Sequence, residues 1–222
     1  MVPREMIFGK SIAFDQEGLG EAASAAYDKP VFDAAETDFI ERLRNGEPDA
    51  FDNLITRYSG DIYAVLYRIT ESAEDAADLT QETFLSALRS IRSFRGESEL
   101  KTWLTRIAIN HSRNRFRWWK RRKKDATVSL DSPIGDTNVA LGDSIAGESE
   151  SAEETVLRRE REAALRKALS EMPEHYREAI VLCDIEGYSY EEIAAALEIN
   201  IGTVKSRIAR GREELRKRLS DL

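Results

Sequence analysis

"SYEEIAAALEINIGTVKSRIARGREELRKRL", Ser189–Leu219, decides the fold of the C-terminal part of the chain. Ser189 and Glu192 have the spacing of a capping box, in which the two residues satisfy each other's free backbone N–H groups. A short helix is therefore predicted through Leu197. Glu198-Ile199-Asn200 makes a tight turn, and Asn200 is a good N-cap for a longer final helix. Short helix, turn, longer helix is the helix-turn-helix arrangement. Ile193, Ala194 and Leu197 are expected on the inner face of the first helix, with Ala194 small where the two cross. Val204, Ile208, Leu215 and Leu219 are expected inside the second. Thr203, Ser206 and Arg210 then project away from the core, flanked by Lys205 and Arg207. They lie in the N-terminal half, the part of such a helix that enters the major groove. Seven Lys and Arg residues follow Ile201 in a chain whose formal net charge is -8. A bare basic surface helix would not need the capped helix and turn before it, so the tail is expected to read DNA.

Working outward, this block is expected to span residues 153–222. It opens with a helix over Glu153–Ser170, then Pro173 at the first position of a helix ending at Gly187. Residues 125–152 are rich in Asp, Ser and Gly without helical period and are expected to be a flexible acidic linker. From Asp125 to Glu154 there are eight acidic residues and no basic one, whereas "RNRFRWWKRRKK", Arg113–Lys124, carries eight basic residues and no acidic one. Such blocks describe partners better than the net charge does. Residues 36–124 form a first helical block, and residues 1–35 are expected to be a poorly ordered extension. No strand-like alternation is sustained. The fold class is all-α: two small helical domains joined by a flexible acidic linker, the C-terminal one containing the helix-turn-helix. No apolar run reaches the roughly 18 residues of a membrane span, and the first thirty residues lack the apolar core of a signal peptide. Cys183 is the single cysteine, so no intrachain disulfide is possible, and the expected location is the cytoplasm. The candidate ligand residues His111, His175 and Cys183 are isolated or on apolar stripes. No metal or cofactor is expected.

In the first block, helices are predicted over Asp38–Arg44, from Glu47-Pro48 to Ile69, over Ala73–Ser93 behind Ser72 as cap, and over Leu100–Lys124. The second of these is expected to bury Phe51, Leu54, Ile55, Tyr58, Ile62, Val65 and Leu66. At 100° per residue, Ala77, Thr80, Phe84, Ala87, Leu88 and Ile91 share one face of the third helix. Asp75, Asp78, Glu82, Ser86 and Arg89 line the other, with Leu79 beside them. This is either a solvated face or a docking face for a helix bearing arginines. On the fourth helix, Leu100, Trp103, Leu104, Ile107, His111 and Trp118 form an apolar stripe. Arg106, Arg113, Arg117, Lys120 and Lys124 form a cationic row bordered by Asn110 and Asn114. Like charges at such spacing repel, and no acid after Glu99 relieves them on this helix. A phosphate backbone is the natural counter-charge.

Residues 75–117, "DAADLTQETFLSALRSIRSFRGESELKTWLTRIAINHSRNRFR", and residues 169–219, beginning "LSEMPEHYREAIVLCDIEGYSYEEIAAALEIN", together resemble the extracytoplasmic-function (ECF) sigma factors of the sigma-70 family. The likeness covers residues 36–222 apart from the linker. It implies that Asp75, Asp78, Leu79, Gln81 and Glu82 dock on the β′ clamp coiled coil of core RNA polymerase, with the β flap as a further contact. It implies that the loop "SFRGESEL" and the fourth helix, through Arg106, Asn110, Arg113, Asn114, Arg117 and Lys120, open and read the minus-ten element of promoter DNA. The helix from Gly202 onward, through Thr203, Lys205, Ser206, Arg207, Arg210 and Arg212, is implied as the reader of the minus-thirty-five element. An anti-sigma factor is the expected regulator, and direct membrane insertion is not expected. Polymerase supplies the chemistry, so no catalytic residue is assigned.

Other classes fit less well. A plain helix-turn-helix regulator leaves the first block's basic row unexplained. A sigma-mimicking protein that only binds an anti-sigma factor tends to lose such residues. A recombinase needs a catalytic domain for which the chain has no room.

Overall fold

The computed structural model describes residues 30–125 and 152–220, and among these the regular structure is entirely helical. Helices α1 (Ala34–Asn45), α2 (Pro48–Thr70), α3 (Ala73–Ser90) and α4 (Leu100–Asp125) form the first unit. Helices α5 (Ala152–Ser170), α6 (Glu174–Ile180), α7 (Tyr190–Leu197) and α8 (Ile201–Ser220) form the second. The expected linker, apart from its two ends, and the extension up to residue 29 lie outside the described residues.

Local hydrogen bonds fix the helix starts. The Asp33 carboxylate accepts from the Glu36 backbone N–H at 2.7 Å, so α1 begins four residues before the predicted Asp38, inside the expected extension. Ser72 caps α3 by accepting from the Asp75 N–H. Both halves of the Ser189–Glu192 box are present, and Asn200 accepts from the Thr203 N–H at 2.7 Å. Pro173 is the residue before α6 rather than its first member. α6 is continued by a π-helical stretch, Val181–Ile185, and Gly187 follows in the left-handed region at φ 73°. α3 likewise ends one turn early, giving way to a 3₁₀ turn at Ile91–Ser93.

The first core gathers Leu43, Leu54, Ile62 and Leu66 against Leu79, Phe84, Trp103 and Leu104. Two faces differ from expectation. Leu79 is fully buried, and so is Thr83, whose hydroxyl donates to the Leu79 carbonyl at 2.7 Å and thereby enters the core without an unsatisfied group. Ala77 and Leu88 are exposed instead, so α3 is rotated relative to the predicted stripe. On α2, Ile55 points to solvent.

The second core contains Leu169, Met172, Ile180, Leu182, Ile193, Leu197, Val204, Ile208 and Leu215. It also takes Val65, Ile69 and Ile109 from the first unit, so the two units are docked on each other. Burying such a side chain is worth about 1.5–3 kcal/mol. α8 approaches α6 closely at Gly211. A Cβ there would lie 2.8 Å from Ile180 Cγ1 and 3.4 Å from the Tyr176 carbonyl oxygen.

Gly211→Ala is accordingly expected to destabilise the protein by about 1–3 kcal/mol through overpacking, against the gain in helix propensity that alanine brings. Urea unfolding of the full chain measures this. A stabilised variant would show that the α6–α8 contact has room for a methyl group at this position.

Candidate nucleic-acid interface

α8 presents its first half to solvent. Gly202, Ser206 and Arg210 are exposed, and Thr203, Lys205 and Arg207 are half-buried beside them. Arg212 behaves differently. Its Nε and Nη2 donate to the Asp184 carboxylate at 3.1 and 2.6 Å, and that carboxylate is buried. The hydrogen bond to Asp184 raises the Arg212 pKa further. The guanidinium therefore ties α8 to the π-helical stretch that continues α6. Burial pushes the neighbouring Cys183 thiol up to about 11, so it stays protonated near neutral pH.

The α4 row is divided. Asn114, Arg117 and Lys120 are exposed, and Arg117 donates to the Asn114 side-chain oxygen. Arg106, Asn110 and Arg113 are half-buried beside the second unit. Arg113 donates through Nε and Nη2 to both carboxylate oxygens of Glu178, at 2.7 and 2.6 Å. The Glu178 side chain is 1% exposed. This hydrogen bonding raises the Arg113 pKa above its ordinary value. Arg106 lies 3.8 Å from Glu198, at the end of α7. The acids that relieve the row thus come from the second unit, where a count along α4 alone cannot find them. Beyond the row, Phe116, Trp118 and Trp119 are exposed, with the Arg122 guanidinium 4.2 Å from the Trp118 ring centre. Their signal in the sequence was three aromatics inside a basic run.

On α3, Asp78, Gln81 and Glu82 are exposed and Asp75 is half-buried. Arg115 of α4 reaches Asp78 at 3.2 Å and Asp75 at 3.6 Å. His111 bridges the helices, 2.8 Å from the Ser86 hydroxyl and 3.5 Å from Glu82. Leu79, expected on this surface, faces the core, because its side of α3 meets α2 and α4. The apolar contribution to the acidic surface comes instead from Leu85 and Leu88, which are 52% and 49% exposed. The loop after α3 is held from beneath. Arg44 donates to the Phe94 carbonyl at 2.6 Å, Phe32 meets Phe94 edge-on, and Gly96 adopts φ 68°. Among the described residues, no group of three acidic, His or Cys side chains could hold a metal ion, and no helix is long and apolar enough to cross a membrane.

Leu79→Ala is expected to cost about 2–5 kcal/mol of stability, as for other buried leucines, while Leu85→Ala stays within about 0.5 kcal/mol. Chemical denaturation of both variants checks the rotation of α3, and equal losses would refute it.

Two family profiles match the chain: the one described as Sigma-70 region 2 over residues 54–123, and the one described as Sigma-70, region 4, over residues 162–215. The RNA polymerase sigma-H factor of Pseudomonas aeruginosa is 38% identical over 183 residues, covering 82% of this chain and 93% of that protein. The ECF RNA polymerase sigma factor SigW of Bacillus subtilis is 35% identical over 184 residues, covering 82% and 96%. Among solved structures, the sigma factor RpoE of Bartonella quintana, in complex with the anti-sigma factor NepR, aligns with a TM-score of 0.59 and 27% identity, covering 77% of this chain and 96% of its own. CnrH, in complex with the cytosolic domain of CnrY, aligns with a TM-score of 0.60 at 23% identity, covering 84% and 98%, and so shares the fold.

Proposed function

The chain belongs to the ECF sigma factors of the sigma-70 family, and on that premise we propose how its surfaces divide the work of promoter-specific initiation. The exposed face of α3, with Asp75, Asp78, Gln81 and Glu82 and with Leu85 and Leu88 in place of Leu79, docks on the β′ clamp coiled coil of core RNA polymerase. The loop after α3 and the α4 row, Arg106, Asn110, Arg113, Asn114, Arg117 and Lys120, read the minus-ten element. The first half of α8, with Gly202, Thr203, Lys205, Ser206, Arg207 and Arg210, reads the minus-thirty-five element, and the second unit meets the β flap. Arg212 supports that helix through Asp184. The chain does no chemistry of its own: polymerase forms the bonds, in the cytoplasm. The observation that carries this division is a capped α7–turn–α8 pair, with Ser206 and Arg210 exposed, beside a second basic helix. An anti-sigma factor is the regulator, as the complex of the similar Bartonella protein with NepR supports.

Run-off transcription with core polymerase on a library of genomic fragments tests the reading. Promoter-dependent starts are expected, and their absence at every fragment would refute it. Arg210→Ala is expected to cost about 1–3 kcal/mol of promoter affinity when it contacts a base edge. A combined Asp78→Ala and Glu82→Ala variant is expected to bind core polymerase more weakly while the DNA response to Arg210→Ala is unchanged. Core affinity untouched by both acidic changes would remove α3 as the docking face.

A further inference from the structure

We propose that Phe32, in the stretch just before α1, is a positioning residue for minus-ten selectivity: its ring braces the loop between α3 and α4 from beneath, so that the loop meets DNA in one shape. The inference rests on the reading of that loop as part of the minus-ten surface. It gives a task to a residue that falls in the stretch expected from sequence to be a poorly ordered extension.

Three observations carry it. First, the loop alternates. Phe94 is buried and Gly96 half-buried, whereas Arg95, Glu97 and Glu99 are exposed. The two inward positions therefore set how the outward side chains stand. Second, Phe32 touches both of them. Its ring meets Phe94 edge-on with centroids 6.5 Å apart, and Phe94 in turn lies 5.3 Å from Trp103 of the first core. A Cβ on Gly96 would lie 3.1 Å from Phe32 Cε2, and its three nearest atoms all belong to Phe32. Gly96 also holds φ 68°, a conformation that glycine adopts freely and other residues rarely. The loop backbone thus lies against the ring at the point where it turns most sharply from ordinary geometry. Third, the brace is fixed to α1. Asp33 caps that helix immediately after Phe32, accepting from the Glu36 N–H at 2.7 Å, and the Thr37 hydroxyl donates to the Asp33 carbonyl at 2.9 Å. From the last turn of the same helix, Arg44 donates to the Phe94 carbonyl at 2.6 Å. Elsewhere beneath the loop the packing is open: a cavity of about 180 Å³ runs between Ile40, Arg44, Phe94 and Arg95, with Phe32 forming part of its wall.

A braced loop enters the complex already ordered. A loose loop has to be ordered by the correct base, at a cost in side-chain and backbone freedom. With a wrong base it stays loose and escapes that cost, so the difference between right and wrong sequences shrinks.

The test uses the full chain with core polymerase on a promoter recovered from the run-off library, beside copies substituted in the minus-ten or the minus-thirty-five element. The ratio of initiation on the parent promoter to that on each copy reads discrimination. Inactive protein lowers both members of the ratio alike, so a variant that is merely destabilised leaves it unmoved. Phe32→Ala is expected to lower the minus-ten ratio by about two- to tenfold and to leave the minus-thirty-five ratio as it was. Phe32→Tyr, which keeps the ring, is expected to keep the parent's minus-ten ratio. An unchanged minus-ten ratio in Phe32→Ala, or an equal fall in both ratios, would overturn the proposal. Should Phe32→Ala fail to fold by circular dichroism, Phe32→Leu, which keeps bulk without the ring, carries the same readouts. A combined Arg95→Ala and Glu97→Ala variant tests the loop itself. A shifted minus-ten ratio there, beside an unmoved one in Phe32→Ala, removes only the brace. Ratios unmoved in both remove the loop from minus-ten reading, and the brace with it.

Discussion

Helix α4 is buried on two sides by two different cores, and this constraint organises the molecule. Leu100, Trp103, Leu104 and Ala108 belong to the first core, while Ile109 belongs to the second. A surface helix normally buries a single apolar stripe. Here the second stripe is short and mixed, with Thr105 and Ser112 both buried. α4 is therefore packed against α2 and α3 on one side and against α7 on the other.

The second contact combines hydroxyl and ion pairs with a small apolar patch. Hydroxyl pairs and ion pairs can be rehydrated on both sides, whereas a wholly apolar seam would leave a large greasy patch when parted. Partly buried ion pairs sit near break-even between desolvation and attraction, so they specify the docked pose more than they hold it. The apolar part is confined to Val65, Ile69, Ile109 and their partners.

The helix-turn-helix is built for the opposite purpose. Gly211 lets α8 lie directly on α6, and Arg212 locks the same turn to Asp184. The capping box and the Asn200 cap fix the two helix starts. With the inner residues Val204, Ile208 and Leu215 buried, the orientation of Ser206 and Arg210 follows from the packing and not from any contact they make themselves. A rigid surface loses less freedom on binding.

The sequence by itself determined the helical class, the helix-turn-helix, nearly every helix start and the two basic helices. These depend on bonds between residues three or four apart and on the 3.6-residue period, both visible in a short window. It did not determine which way α3 faces. Two stripes satisfied the period, and Thr83 joined the core only because its hydroxyl could turn back onto the Leu79 carbonyl. Nor could it show that Arg212 is held by Asp184, 28 positions away, or that Arg113 is held by Glu178, 65 positions away. A cation's partner in a folded chain is set by which elements are brought together, and only the tertiary structure decides that. The same basic residues that read locally as open to a polyanion are, in part, already answered by the protein's own acids.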